Sequence, residues 1–314
     1  MKLHIDLNPS DPGFGLTHSD ALFLIGSCFS ENIGELLIIH RFKTYINPHG
    51  IVFNPLSMAQ SLDEIAEGKT TNPDFILKQG ERYYSFAAHS SLSGSNRDEL
   101  IEKLNAENHH ALAALKTAKV LILTLGSAYY YYHKSLGFTV SNCHRLAQQT
   151  FDKKLCSVEA AVTELDRALQ KIETLNPGLK IILTVSPVKH LRDGVVENTL
   201  SKATLLLTCH NLAKGHSNRC YFPAYELVTD DLRDYRFYKE DLAHPNSQAI
   251  AYVWEKFSQT FFSGHTRQIN QLTDAIHKAK NHRSTYASGQ EHNNLQQHIR
   301  KLEDELKNLA PNLI

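Results

Sequence analysis

Ala21-Leu22-Phe23-Leu24-Ile25-Gly26-Ser27-Cys28-Phe29-Ser30-Glu31-Asn32 is the stretch on which the fold turns. Five uninterrupted apolar residues read as a short strand buried on both faces. Gly26 ends it, and a segment of helical character follows over residues 31–40. The same alternation recurs downstream. Residues 97–118 read as a long amphipathic helix with Leu100, Ile101, Leu104, Ala111, Leu112 and Leu115 on its apolar side. Residues 120–125 (VLILTL) are a buried strand ending at Gly126. A helix over 157–175 has Ser157 as a plausible N-cap and Asn176-Pro177-Gly178 as its stop. Residues 180–185 (KIILTV) are again a buried strand, stopped by Pro187. Residues 198–214 and 247–262 are helical, 219–222 strand-like, and 47–55 loop-like. Apolar strands separated by helices predict an α/β fold with a parallel sheet covered on both faces. Such a sheet places its site at the carboxyl ends of the strands.

Composition narrows the function classes. The chain has 314 residues, 33 Lys and Arg against 33 Asp and Glu, and 42% hydrophobic residues. That length buries an ample core without staples. Zero formal charge argues against a non-specific nucleic-acid binder or an anionic-membrane binder. Eighteen histidines make the charge rise below about pH 6.5. Cys28, Cys143, Cys156, Cys209 and Cys220 form no C-x-x-C pair, so neither a disulfide framework nor structural zinc is expected. No apolar run approaches the roughly 20 residues of a membrane helix. The opening MKLHIDLNPS carries no apolar segment of the secretory type. These features predict a cytoplasmic protein with no nucleic-acid or membrane partner.

Nucleotide and metal motifs fail on inspection. Gly68-Lys69-Thr70 ends like a P-loop, but Asp63 stands where its first glycine must be. Gly13-Phe14-Gly15 lacks the third glycine of a dinucleotide fingerprint. No cofactor and no metal site are expected. The tyrosines 129–132 read as a packed strand or pocket wall, because no basic stripe accompanies them.

The last fifty residues change character, which divides the chain into a domain at 1–262 and an extension at 263–314. Ile269, Leu272, Ile276 and Ala279 are spaced helically. Residues 284–290 break the pattern, and Leu295, Ile299, Leu302, Leu306 and Leu309 resume it as a short heptad seam. The extension is expected to be a helical hairpin on the main domain, with self-association of two copies through residues 265–314 as the alternative.

Ser27 carries the chemical interest. A strand-to-helix turn lifts it to the rim of the sheet, beside unpaired helix amides of positive partial charge. A serine nucleophile needs a base, and the base needs an orienter. Asp241-Leu242-Ala243-His244-Pro245-Asn246 supplies both before the last helix of the α/β unit. His244 would take the Ser27 proton, and Asp241 would hold its other nitrogen. The plain alternative is that Ser27 only caps the helix. A second alternative moves the nucleophile to Cys28, whose thiol sits at a helix N-terminus. His190, near the end of a strand, and His89, in a polar loop, are candidates for binding a substrate carboxylate, phosphate or sugar hydroxyl.

Gly26-Ser27-Cys28-Phe29-Ser30-Glu31-Asn32-Ile33-Gly34 resembles the signature of the GSCFA family, a bacterial family related to the SGNH/GDSL-type hydrolases. Ser30 stands where the namesake alanine would be. Matches continue through Asn47-Pro48-His49-Gly50, Phe53-Asn54-Pro55, His89-Ser90-Ser91, Leu125-Gly126-Ser127-Ala128, Asn142-Cys143-His144, Ser186-Pro187-Val188-Lys189-His190 and Leu200-Ser201-Lys202, to Asp241 and His244. The resemblance implies a three-layer α/β/α fold with a flavodoxin-like parallel sheet. It implies a serine esterase layout, with Ser27 as nucleophile, Asp241 and His244 completing a triad, and the Gly50 amide at the oxyanion. Where related enzymes place an oxyanion Asn after the third strand, this chain offers Ser127, so either Ser127, Asn142 or Asn54 substitutes or the activity is slow or specialised. The substrate expected is an acylated small molecule, including an O-acetylated carbohydrate. Acyl transfer with the same triad, and a catalytically degenerate binding module, are the alternatives.

Overall fold

The apolar runs become neighbouring strands, and the segments between them become the layers that cover them. A computed structural model describes residues 5–281 and 290–313. Along the chain run β1 (Ala21–Gly26), α1 (Cys28–Ile39), β2 (Lys43–Ile46), α2 (Pro55–Glu67), β3 (Ile76–Gln79), β4 (Arg82–Ser85) and β5 (Ser93–Gly94). Then come α3 (Arg97–Thr117), β6 (Val120–Leu125), β7 (Tyr129–His133), β8 (Phe138–Val140), β9 (Phe151–Leu155), α4 (Val158–Leu175) and β10 (Lys180–Val185). The chain continues with α5 (Val195–Ala213), β11 (Arg219–Tyr221), α6 (Ala224–Glu226), α7 (Ser247–Phe261), α8 (Gly264–Asn281) and α9 (Gln290–Leu309).

The central sheet has the order β11-β10-β6-β1-β2, and every pairing in it is parallel. The strand order reverses between β1 and β6, so the crevice outside their carboxyl ends is the natural binding place. Register follows the alternation of side chains. Phe23 pairs with Leu121 and Leu121 with Ile181; Leu24 pairs with Ile122 and Ile122 with Ile182. The first row packs under α2, α3, α4 and α5 through Met58, Leu115, Leu169 and Leu205. The second packs under α1 and α7 through Phe29, Leu37, Val253 and Phe257. Two apolar layers on one sheet give the expected α/β/α sandwich.

Several elements differ from the sequence reading. The first helix starts at Cys28 because Ser27 caps it, with its Oγ 3.3 Å from the Phe29 amide. The segment after the 47–55 loop is the helix α2, capped by Asn54, begun by Pro55 and closed by Gly68 in the left-handed region. Two small antiparallel sheets, β3-β4-β5 and β8-β7-β9, lie in the connections before α3 and α4. Their strands are two to five residues long and mostly half-exposed, which leaves little apolar signal. The tyrosine run forms β7.

The seam of the extension is used within the chain. Ile269, Leu272 and Ile276 of α8 cluster with Leu302, Leu306 and Leu309 of α9. Thr273 meets His40 at 2.9 Å, and Arg41 donates to Leu313 O at 2.7 Å, which ties both helices to the end of α1. The expected break at 284–290 lies outside the described residues apart from Gln290.

Gly26 decides whether β1 and β6 can approach at the rim. Its φ is +154°, and a Cβ there would sit 2.4 Å from the Thr124 carbonyl oxygen. Backbone strain and a clash with main-chain atoms cannot be relieved by a rotamer change. Gly26→Ala is expected to lower the stability measured by urea denaturation by about 3 kcal/mol or more.

Candidate functional site

Three strands of the central sheet end around Ser27. Its amide donates to Thr124 O at 3.1 Å, and its residue is 3% exposed. The Cys28 amide, first in α1, donates to no backbone carbonyl among the described residues. Opposite lies Gly126 at the end of β6. A Cβ on Gly126 would stand 3.3 Å from Ser27 Cβ, 2.9 Å from Phe53 Cβ and 3.4 Å from His190 Nε2. Ser27, Gly126, Phe53 and His190 therefore share one small space.

The Asp241–His244 loop is ordered by one carboxylate. Asp241 Oδ1 accepts from the amides of Ala243 and His244, both at 2.9 Å, while Oδ2 accepts from His244 Nδ1 at 2.7 Å. Those two amides, followed by the imidazole, hold the Asp241 carboxyl down at about 2. Leu242 between them sits at φ +55°, a strained position for a branched residue. His244 Nε2 carries no hydrogen bond among the described residues, and its side chain is 46% exposed. No hydrogen bond joins it to Ser27 Oγ. The loop is bound to the end of β10, because Lys189 N donates to Ala243 O at 3.0 Å. The residues preceding His190 and His244 are thus hydrogen-bonded to each other.

His190 stands between the two halves of the site. Its Nε2 is buried and has no hydrogen-bond partner, and its ring lies 5.2 Å from that of Phe53. Burial, then the Lys202 ammonium, pull its pKa down to about 4. His190 is therefore neutral near pH 7, able to donate or accept one hydrogen bond. Lys202, on α5, is completely enclosed. Its Nζ donates to Gly126 O at 2.5 Å and to Ser186 O at 2.7 Å, pinning the ends of β6 and β10 together. Burial brings the Lys202 pKa down to about 7.

Two expected donors are otherwise engaged. The Gly50 amide donates to Asn47 O at 2.7 Å, which closes a turn and leaves it no proton for a substrate oxygen. What requires a glycine there is φ +70° and the His89 Cβ, 2.5 Å from where a Cβ would be. The Ser127 hydroxyl accepts from Tyr129 N at 3.2 Å and faces Ser201 Oγ at 3.2 Å, so it secures the turn after β6. Asn54 uses both ends of its amide on Ser57. Asn142 accepts from His144 N at 2.8 Å through Oδ1. His89 is half-buried and bonds Ser91 at 3.0 Å. Among the described residues, neither Asn142 nor His89 is hydrogen-bonded to Ser27 or His244. Cys28 is unsuited as a thiolate, since burial and then Glu31 push its pKa up.

Sequence reasoning missed Asn47 and Lys202. Asn47 follows β2, and its Oδ1 accepts the Gly26 amide at 2.8 Å. That bond fixes which end of the carboxamide is oxygen, and leaves Nδ2 buried without a partner one residue from Ser27. Both residues lie in blocks quoted above, but only the fold shows which way they point. Among the described residues no three His, Cys, Asp or Glu side chains gather to hold a metal ion. No helix among them is long and apolar enough to cross a membrane.

The fold and this rim define an α/β protein of the doubly wound type, with polar side chains converging at its topological switch point. The GSCFA family model matches residues 21–257, and the chain belongs to that family. No curated protein matches it.

The neutral His190 gives stability a pH dependence. Its unfolded pKa is about 6.5 and its folded value about 4, so between them the unfolded chain binds the extra proton. Stability from this source is whole above pH 6.5 and is lost as pH falls toward 4. His40, likewise lowered to about 4 by burial, adds to the effect. Urea denaturation of His190→Gln between pH 6.5 and 4 should show a slope shallower than wild type by as much as about 1.4 kcal/mol per pH unit.

Proposed function

We propose that the chain is a serine ester hydrolase of the SGNH/GDSL type, acting in the cytoplasm on an acylated small molecule such as an O-acetylated carbohydrate. The observation that carries this reading is the Asp241–His244 pair at 2.7 Å, on a loop hydrogen-bonded to Lys189, the residue before the His190 that shares the space around Gly126 with Ser27. Asp241 keeps the Nδ1 proton in place, so Nε2 is the basic nitrogen and is free to act. His244 Nε2 takes the Ser27 proton as Oγ attacks the ester carbonyl. It then returns that proton to the leaving alkoxide. Water attacks the acyl-serine in the second half, with His244 again as base. An acceptor hydroxyl in place of water makes the same steps an acyl transfer.

The developing oxyanion needs donors, and this reading assigns two to it. They are the Cys28 amide at the positive end of α1 and the Asn47 Nδ2, which has no other partner. Each such donor is typically worth about 10²–10³ in rate. Ser27 and His244 are not hydrogen-bonded in the free protein, and such contacts commonly tighten when substrate arrives.

A second reading, a silent hydrolase fold that only binds ligands, is favoured by the engaged Gly50 amide and Ser127 hydroxyl. A panel of p-nitrophenyl esters and fluorophosphonate labelling separate the two. On the esterase reading, Ser27→Ala abolishes labelling and lowers hydrolysis by about 10³-fold or more, and His244→Asn does likewise. Asn47→Ala should lower kcat by about 10²-fold with a small change in KM. Equal, slow hydrolysis by wild type and Ser27→Ala would sink the esterase reading and leave the binding module.

A further inference from the structure

A cleft of about 230 Å³ opens next to the Asp241–His244 loop, between the end of β10 and the segment after α6. Lys189, Thr229, Arg233, Asp234, Tyr235 and Tyr238 line it. None of them has a part in the proposed acyl chemistry. The Lys189 ammonium lies 4.1 Å from the ring centre of Tyr235 and 4.0 Å from that of Tyr238. The two rings hold the cation in place by its attraction to their faces. Among the described residues no carboxylate pairs with Lys189 or with Arg233. The one lining carboxylate, Asp234, is turned to its own turn: it accepts from Arg236 N at 2.8 Å and lies 3.8 Å from Arg236 Nε. The Tyr238 residue is 8% exposed, and its hydroxyl is buried without a hydrogen-bond partner. A buried hydroxyl left unpaired is costly.

We infer that this cleft is a subsite for an anionic group, a carboxylate or a phosphate, borne by the molecule whose ester reaches Ser27. Lys189 and Arg233 supply the charge, and the tyrosines supply a flat wall for the carbon skeleton. The cleft is open to solvent on one side and has room for a small anionic group with part of its carbon skeleton. Lys189 also explains the coupling to the reacting centre. Its own amide bonds Ala243 O, so the residue that carries the cation also holds the backbone of the loop that bears His244. The inference rests on the esterase reading for what the bound molecule undergoes, and not for whether it binds.

Calorimetric titration of Ser27→Ala protein, which does not turn over on that reading, tests binding by itself. The probes are glycerol 3-phosphate and glucuronate, with glycerol and glucose as neutral partners. At least one anion should bind saturably and at least tenfold more tightly than its neutral partner, and which one does so separates phosphate from carboxylate. Arg233→Gln and Lys189→Met should each weaken that binding tenfold or more, and Arg233→Lys should restore part of it. Arg233 is exposed, so its variants keep the fold, and thermal unfolding checks this. Anions that bind no better than the neutral compounds, or variants that bind like the parent, overturn the subsite. On acetyl esters of the same compounds, Lys189→Met should raise the ratio of anionic to neutral KM about tenfold. Loss of the esterase reading shows differently: Ser27→Ala then hydrolyses as wild type does, while the calorimetric result stands.

Discussion

The close approach of β1 and β6 at their carboxyl ends governs the rest of the molecule. Gly26 has no side chain, so Thr124 O can come near enough to accept the Ser27 amide. That one contact turns the chain sharply into α1, whose first amide is that of Cys28. It also brings Ser27 against Gly126, where a second missing Cβ makes room for Phe53 and His190. Two bare backbone positions on adjacent strands thus create the space into which side chains from three loops project. A larger residue at either place would push the strands apart before it altered any chemistry.

The central strands were legible because they are buried on both faces, and nothing but a parallel sheet suits so short and continuous an apolar run. The pairing of Asp241 with His244 was legible too, since three residues of separation let one carboxylate reach both the amides and the ring. The donors were not legible. Gly50 and Ser127 have the right composition and the right place in the chain, yet their hydrogen-bonding groups turn inward. Asn47 looked like a loop former and instead lends its oxygen to Gly26. Whether a polar group is free depends on its neighbours in space, and a sequence does not display those. The small sheets escaped for a related reason. Their strands are too short for alternation to register, and they are held by two small clusters, one around Phe86, Val140 and Phe151 and one around Ala88, Leu100 and Leu104.

Buried charge underlies the rim. Lys202 is enclosed, yet its two acceptors are the carbonyls of Gly126 and Ser186 rather than a carboxylate. A carboxylate partner would have cancelled its field. Carbonyls leave part of that field in place, and His190 is held neutral by it together with burial. A neutral imidazole in the space around Gly126 can donate or accept one hydrogen bond there without adding charge. The insertions reinforce this arrangement from outside. Lys153 of β9, stacked over Tyr129 at 4.7 Å, pairs with Asp193 just beyond His190.

The exposed position of Asp241 and His244 raises the question of what keeps them in register, since exposed ion pairs contribute little. The answer lies in the main chain. Asp241 binds two consecutive amides as well as the imidazole, and those amide bonds fix Leu242 in its left-handed turn. Lys239 N donates to His244 O at 2.7 Å, Lys189 N holds Ala243 O, and Asn246 caps α7 through its side chain. The loop is therefore fastened at 239, 243 and 246, on either side of the exposed His244 ring. Burying the pair would have strengthened its electrostatics at the expense of access. The loop keeps the imidazole reachable, and its geometry comes from hydrogen bonds to the backbone that do not depend on the charge of His244.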